Sequence, residues 1–412
     1  MPATFRALRY AGYRYLWLGQ LGHSAAMWME QVVRPLLVLE LTHSPLQVGL
    51  VVAVRMAPQF LFGLLAGVIA DRYNKRRVLL GSQLVTLIMH LTLALLILGG
   101  KIAVWQVFVT AFISGGSMAF NQPARQTLIP SLVPSEIMLN AIALNTAAMN
   151  AMRVLGAGLA GFLLIYFDYG QVYLVNAVLF VFVLWTTVRI GSVEKRPLAD
   201  QPVPTPKPRE KTSIFQDLLE GFRYMGANRR VLYLVAMALI LFLIGQPYQQ
   251  VFVPLLALNV LHIGRSGAGW MLALTGIGAL IGSLTMASVK KFRRRGLILI
   301  SFLCVFGAAL ILLSQSRWFI FSAVALIFAG AMTTAYNSLN LSLLIEETPR
   351  EFHGRVISLM SLDRGFVSLG AVLAGGLAEA LGPQLGLFAL ALSCLALTAL
   401  FFFTVPNIRK LN

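Results

Sequence analysis

Long apolar stretches separated by short polar turns constrain the fold of this chain more than any other feature. A helix rises 1.5 Å per residue, so about 20 apolar residues cross the roughly 30 Å of hydrocarbon in a bilayer. The hydrocarbon contains no water that could hydrogen-bond to unpaired backbone N–H and C=O groups, so stretches of this length must be helical. We therefore predict an all-α membrane protein with twelve transmembrane helices. The twelve stretches are residues 16–39, 46–70, 78–98, 102–121, 137–167, 171–190, 231–260, 267–289, 297–313, 318–345, 356–381 and 385–405.

The composition agrees with a membrane protein and excludes several other classes. Of the 412 residues, 58% are apolar and 12% are charged, whereas soluble domains average about 45–50% and 25%. These figures also exclude a disordered or fibrous chain, and two cysteines are too few for a disulfide scaffold. We expect the lipid bilayer to surround most of the surface.

Basic residues are distributed unevenly between the two sides of the predicted membrane. The net charge is +18, and 26 of the 33 Lys and Arg residues fall on the side of the termini, against three on the opposite side. Lys and Arg accumulate in cytoplasmic loops. We therefore predict a multi-pass protein of the plasma (inner) membrane with both termini in the cytoplasm. The positive charge is explained by topology, so we expect no nucleic acid partner.

A polar segment in the middle divides the chain into two halves of six predicted helices each. Residues 191–230 contain five prolines between positions 197 and 208 and end in a short amphipathic pattern. Such a composition cannot pack a core and is typical of a solvated linker. We predict an N-terminal half over 1–190, a cytoplasmic linker with a short amphipathic helix over 191–230, and a C-terminal half over 231–412.

Short sequence repeats indicate that the two halves are related by pseudo-symmetry. The sequence LGAGLAG at 155–161 recurs as LGAVLAG at 369–375, and the basic turn at 75–77 has a counterpart at 293–295. Both pairs are separated by nearly half of the chain length. Duplicated six-helix halves are typical of secondary transporters, whose substrate site lies between the halves near the membrane midplane.

The turn between the second and third stretches carries the most specific motif. Residues 67–79 read GVIADRYNKRRVL, and this resembles the signature loop of the major facilitator superfamily. Asn74 replaces the usual turn glycine, and we expect it to adopt the left-handed conformation that asparagine tolerates. The resemblance implies a conformational latch on the cytoplasmic side, formed by Gly67, Asp71, Arg72, Lys75 and Arg76.

Two further segments resemble the branch of this superfamily that holds siderophore exporters and macrolide efflux pumps. They are NQPARQTLIPSLVP at 121–134, which we expect to connect the fourth and fifth helices, and EETPREFHGRVIS at 346–358. The resemblance implies ion- or proton-coupled efflux of amphipathic small molecules by alternating access. Uptake, phospholipid transport and a membrane ligand sensor that moves nothing remain alternatives. The arginine that proton-coupled drug pumps carry in the fourth helix is absent at 111–116, and Gly-Ala at 156–157 replaces the Gly-Pro of antiporters.

Ionisable side chains inside the predicted helices are functional candidates, because each costs about 2.5–3.5 kcal/mol in hydrocarbon. Glu30 lies nine residues before the end of the first helix and Arg55 nine after the start of the second, so they should meet at one depth. Arg34 lies one helical turn from Glu30. A structural ion pair and a coupling or substrate-binding role both remain open, and for Asp363 we favour a cross-helix partner such as Arg153. The candidates are Glu30, Arg34, Arg55, Arg153, Asp363 and Arg364.

No enzymatic site is evident in the sequence. The five histidines lack metal-ligand spacing, and no phosphate-binding loop is present, so ATP is not the direct energy source. We expect no cofactor or metal, a monomer, and a small-molecule substrate driven by protons or another coupling ion, with Glu30 as the first candidate proton site. Candidates for the wall of the substrate cavity are Trp28, Met29, Phe120, Asn121, Tyr248 and Tyr336.

Overall fold

The computed structural model describes residues 3–193, 223, 226, 228–288, 294–349 and 363–405. Within these ranges the side chains of residues 3, 4, 64, 65, 67, 68, 70–72, 191–193, 363 and 364 are not described. Most of the predicted linker, including its amphipathic helix, therefore lies outside the described residues. The segment 350–362 before the eleventh predicted helix lies outside them as well.

The described chain is built of helices, and the described ranges contain no strand. Nine segments in them are long and apolar enough to cross a membrane. The long helices α1 and α4 are not among these nine, although they contain 32 and 29 residues. The helices are α1 Ala11–Thr42, α2 Pro45–Arg72, α3 Lys75–Leu98, α4 Val104–Leu132, α5 Met138–Tyr166, α6 Tyr169–Val193, α7 Arg229–Ile240, α8 Phe252–Asn259, α9 Gly264–Ser288, α10 Arg295–Gln315, α11 Phe319–Glu347 and α12 Asp363–Thr404, with short 3₁₀ turns at Ala3–Arg9 and Ser135–Ile137.

Two of the apolar segments are interrupted. Between α7 and α8 the chain forms a π-helical turn over Leu241–Gly245 and a 3₁₀ turn over Gln246–Gln249. Helix α12 is broken at Gly382, where φ is 79°. A Cβ atom built on Gly386 would lie 2.9 Å from the carbonyl oxygen of Leu377. These residues would be about 13 Å apart along a continuous helix, so the chain reverses direction at Gly382.

The structure corrects two sequence expectations about turns. The segment expected to connect the fourth and fifth helices is helical as far as Leu132. Two of its polar side chains are buried: Asn121 donates to Ser82 Oγ, and Arg125 donates to the Leu16 carbonyl. Asn74 is not left-handed: with φ −60° and ψ 109° it caps α3, and its side chain accepts the Arg77 amide.

We refer to α1–α6 as the first half of the chain and to α7–α12 as the second half. In the first half α1 packs on α5 and α6, and α3 packs on α4 and α6, while α11 packs on α9 and α10 in the second half. The halves meet where α2 packs on α12 and α5 on α9. We call the end of the molecule with the turns at 43–44, 167–168 and 260–263 the distal end, and the end with both termini the proximal end.

Candidate functional site

A buried ion cluster surrounds Glu30 inside the first half. Arg34, one turn along α1, donates to Glu30 Oε1 through Nη2, and through Nε at 3.1 Å. Arg55 of α2 donates to Glu30 Oε2 through Nη2 at 2.8 Å. The three side chains are 2–7% exposed, so the ions lie inside the protein. The helix register therefore brings together the three residues that the sequence places at one depth.

Helix α4 provides the remaining support for this cluster. Arg34 Nη1 donates to the carbonyl oxygen of Val107 at 2.9 Å and to Thr110 Oγ1 at 3.1 Å. Close approach of α4 to α2 depends on Gly115, because a Cβ atom there would lie 2.0 Å from the Arg55 carbonyl oxygen. A glycine at this position thus allows α2 to present Arg55 to Glu30.

Two histidines lie beside the cluster. The distance between His90 Nε2 on α3 and Glu30 Oε2 is 3.6 Å, which is too long for a direct hydrogen bond. The rings of His90 and His23 both pack against Phe180, at centroid distances of 5.2 and 5.5 Å. A void of about 20 Å³ separates these groups from their neighbours, and its lining includes His23, Glu30, Arg55, His90 and Ser114.

A larger cavity of about 270 Å³ lies between the two halves. Its wall is rich in amide and hydroxyl side chains, and methionines and aromatic rings supply the apolar part. Gln250 of the second half donates to Gln31 Oε1 of the first half at 3.2 Å, which bridges the halves at the cavity. The lining residues with polar side chains are Gln31, Arg55, Gln59, Arg153, Gln246, Gln249, Gln250, Thr333, Thr334 and Asn337.

Arg153 enters this cavity from α5. Its guanidinium carbon lies 5.1 Å from the ring centroid of Trp28, and Nη2 is 3.5 Å from Gln249 Oε1. Cation–π contacts of this kind hold an arginine over an indole face. Among the described side chains no carboxylate pairs with Arg153. The side chains of Asp363 and Arg364 lie outside the described residues, so the expected cross-helix pair with Asp363 stays a prediction.

The six cavity candidates occupy different surroundings. Trp28 lines the cavity. Met29 and Tyr336 are fully buried in the main core cluster, and Tyr248 packs its ring against Phe306 at a centroid distance of 5.8 Å. Asn121 donates to Ser82 on α3. The sixth candidate, Phe120, is partly buried and is not in the lining.

The described latch residues make contacts within the first half. Lys75 Nζ donates to the Thr127 carbonyl of α4 at 3.2 Å. Arg76 donates through Nε and Nη2 to carbonyl oxygens near the end of α6, at 3.1 and 2.7 Å. The side chains of the other three latch candidates, Gly67, Asp71 and Arg72, lie outside the described residues. The latch with the second half therefore stays a prediction.

Ion pairs join the two halves at the distal end. Arg265, at the start of α9, pairs with Glu40 of α1 and, at 3.2 Å, with Asp168 before α6. Its guanidinium carbon also lies 4.7 Å from the ring centroid of Tyr169. Nearby, Glu379 of α12 accepts from the Ser44 hydroxyl at 2.9 Å and from the Leu46 amide. These bonds hold the halves together on the distal side of the cavity.

Sequence reasoning missed the cavity amides and both histidines of the cluster. The amides at 246, 249 and 250 carry no charge, so the cost of an ionisable group in hydrocarbon does not identify them as candidates. His23 carried a usable signal, since it precedes Glu30 by seven residues and therefore lies two turns away on the same helix face. His90 has no comparable signal, because the packing of α3 against α4 and α6 decides its position.

Comparisons with known proteins agree with this architecture. The family model described as transmembrane secretion effector matches residues 2–412. Macrolide efflux protein A of Streptococcus pyogenes is 23% identical, and the alignment covers 96% of each chain. The enterobactin exporter EntS of Escherichia coli O1:K1 / APEC is 24% identical over 97% of this chain and 92% of its own.

Solved structures show a similar fold at low sequence identity. The nucleoside transporter NupG, as a D323A mutant, superposes with a TM-score of 0.79 at 11% identity and covers 96% of this chain and all of its own. A bacterial homologue of the human lysosomal transporter Spinster, in an inward-facing and occupied conformation, gives a TM-score of 0.74 at 14% identity over 96% of each chain. Both comparisons concern the fold alone.

Proposed function

Because the chain belongs to the transmembrane secretion effector family and is a transporter of the major facilitator superfamily, we propose that it exports amphipathic small molecules by proton-coupled alternating access. The cavity between the halves is the substrate site, and its mixture of amides, arginines, methionines and aromatic rings suits a ligand with polar and apolar parts. Macrolide and enterobactin, the compounds in the names of two relatives, are the first substrates to test.

The proposal includes twelve membrane crossings in two six-helix halves with both termini in the cytoplasm. The nine apolar segments become twelve crossings when the reversal at Gly382 divides the last of them and α1 and α4 are added. The distal end then faces outward, and Arg265 with its partners forms a closed outer gate. A cysteine introduced near Pro204 should resist an impermeant thiol reagent applied to intact cells. Labelling of that cysteine from outside would contradict the orientation.

One observation carries the coupling proposal: Arg55 belongs to both sites. Its guanidinium bonds Glu30 at 2.8 Å, and the same side chain lines the central cavity. Protonation of Glu30 removes the negative charge that holds Arg55, so a proton on Glu30 and a ligand in the cavity both affect one side chain. This shared arginine gives a physical route by which proton binding and substrate binding influence each other.

Transport itself is tested in proteoliposomes by counterflow. Vesicles loaded with unlabelled macrolide or enterobactin should accumulate the labelled compound transiently, because a carrier exchanges substrate across a sealed bilayer. A protein that only senses a ligand would bind the compound without exchange. If neither compound exchanges, a thermal-shift screen of amphipathic compounds selects the next probes. Binding of a compound without counterflow would contradict the transport proposal.

A further inference from the structure

The void beside Glu30 has the size and the polar lining of a water site. A cavity holds a water molecule when it offers about 10–15 Å³ and two to four polar partners, and this void measures about 20 Å³. Among its lining atoms, Ser114 Oγ, His23 Nδ1 and both His90 nitrogens are buried and have no hydrogen-bond partner in the described protein. Buried polar groups of this kind are normally satisfied by ordered water.

The distance from His90 to Glu30 also suits a contact through a water molecule. A gap of 3.6 Å between Nε2 and Oε2 is one in which a bridging water is expected. Glu30, His23 and His90 do not form a metal site, because among the described residues no group of three such side chains could hold an ion. The void between the two imidazoles and the Glu30 carboxylate is thus large enough for one water molecule.

The void also adjoins the central cavity. Met27, Arg55 and Met118 line both spaces and separate them. A proton that reaches the cavity through water therefore has only this partition to cross before it meets the void. Both methionines have flexible side chains that can change rotamer.

We propose that a water molecule in this void transfers protons between His90 and Glu30, and that His90 is the relay through which Glu30 exchanges protons with the central cavity. The inference rests on the proposed function. In the forward step the His90 imidazolium gives a proton to the water while the water gives another to Glu30 Oε2. Imidazolium becomes imidazole, carboxylate becomes carboxylic acid, and the water is unchanged.

Titratable groups from four helices lie around the relay. Helix α1 contributes His23, Glu30 and Arg34, α2 contributes Arg55, α6 contributes Tyr173, and Arg125 of α4 lies towards His23. Glu30 is the one anion among these described groups, while Arg34 and Arg55 are cations. Among the described groups that line the void, Glu30 is therefore the one carboxylate that can accept a proton from His90.

His90→Gln tests the relay, because glutamine keeps hydrogen-bonding atoms but cannot gain or lose a proton near neutral pH. We expect counterflow within twofold of wild type, and substrate accumulation driven by a pH gradient to be at least tenfold slower. The dependence of that rate on pH should also differ from that of the wild type, because the relay residue is gone. His43→Gln and His262→Gln are matched controls, since both histidines are exposed, and they should behave as wild type.

A second variant keeps the test decisive. In His90→Ala, added imidazole should restore the pH-driven rate, which a purely structural histidine would not allow. Wild-type pH-driven rates in His90→Gln would overturn the relay. An equal fall in counterflow and pH-driven transport would also overturn it, because it would indicate a packing role. If Glu30→Gln keeps proton-driven accumulation, the proposed coupling itself fails; if only the His90 variants keep it, the relay alone fails.

Discussion

Replacement of Glu30 by glutamine separates a structural role of the ion cluster from a coupling role. The change keeps the side-chain volume and one acceptor oxygen, but it removes the negative charge shared by Arg34 and Arg55. Removing one partner of a fully enclosed ion pair costs about 3–5 kcal/mol, because the other charge is left uncompensated. A cluster with a purely structural role should lose stability in this range.

The surroundings of the two arginines predict a smaller loss. Arg34 keeps its bonds to the Val107 carbonyl and to Thr110, and the amide oxygen that replaces Oε1 can still accept from its Nε. Arg55 lines the polar cavity and can turn towards water there. The main loss is then one charge-assisted hydrogen bond, worth about 1.5–3 kcal/mol. We expect a decrease of about 2 kcal/mol in the free energy of unfolding.

Equilibrium unfolding in mixed micelles and counterflow in proteoliposomes measure the two effects. We expect Glu30→Gln to retain counterflow while losing accumulation driven by a pH gradient. Glu136→Gln is the matched control, because Glu136 is exposed at the proximal end and should change stability by less than about 0.5 kcal/mol. A loss of 4 kcal/mol or more together with lost counterflow would refute this reasoning and assign the cluster a structural role.

Three further predictions concern other parts of the molecule. Gly115→Ala should destabilise the protein by about 1–3 kcal/mol, because its Cβ would meet the Arg55 carbonyl. Gly116→Ala is the control, since the atom nearest to a Cβ there is 3.8 Å away. Equal unfolding free energies for the two alanine variants would contradict the close contact. Arg265→Gln removes the ion pairs at the distal end, which are worth about 1 kcal/mol, and should therefore raise the outward-open population about fivefold. This population is measured by labelling Thr334→Cys from outside, and the exposed Arg317→Gln serves as the control. Asp71→Asn should strongly impair transport with little change in expression, and full transport at limiting and saturating substrate would refute the latch.

The ion cluster could be predicted from the sequence because helix geometry alone determines it. Glu30 and Arg55 lie at matching distances from one tight turn, so antiparallel packing brings them to the same depth. Arg34 follows from the four-residue spacing on α1. Neither inference needs the positions of other helices, which explains why both agree with the structure.

The central cavity could not be predicted in the same way. Gln246 and Gln249 reach it from a 3₁₀ turn that follows a π-helical turn, where the regular helical period no longer gives the direction of a side chain. Trp28 and Met29 show the same difficulty within a regular helix, because neighbouring residues point about 100° apart. Trp28 faces the cavity, and Met29 turns into the core. Only the relative placement of the two halves decides between them.

Proton movement during export tests the central claim most directly. Proteoliposomes that enclose a pH-sensitive dye and carry wild-type protein or Glu30→Gln are mixed with a compound identified by counterflow. We expect wild-type vesicles to show a pH change that follows substrate movement, and Glu30→Gln vesicles to exchange substrate without that change. Equal pH changes in both proteins, or substrate accumulation in wild type with no proton movement, would contradict coupling through Glu30.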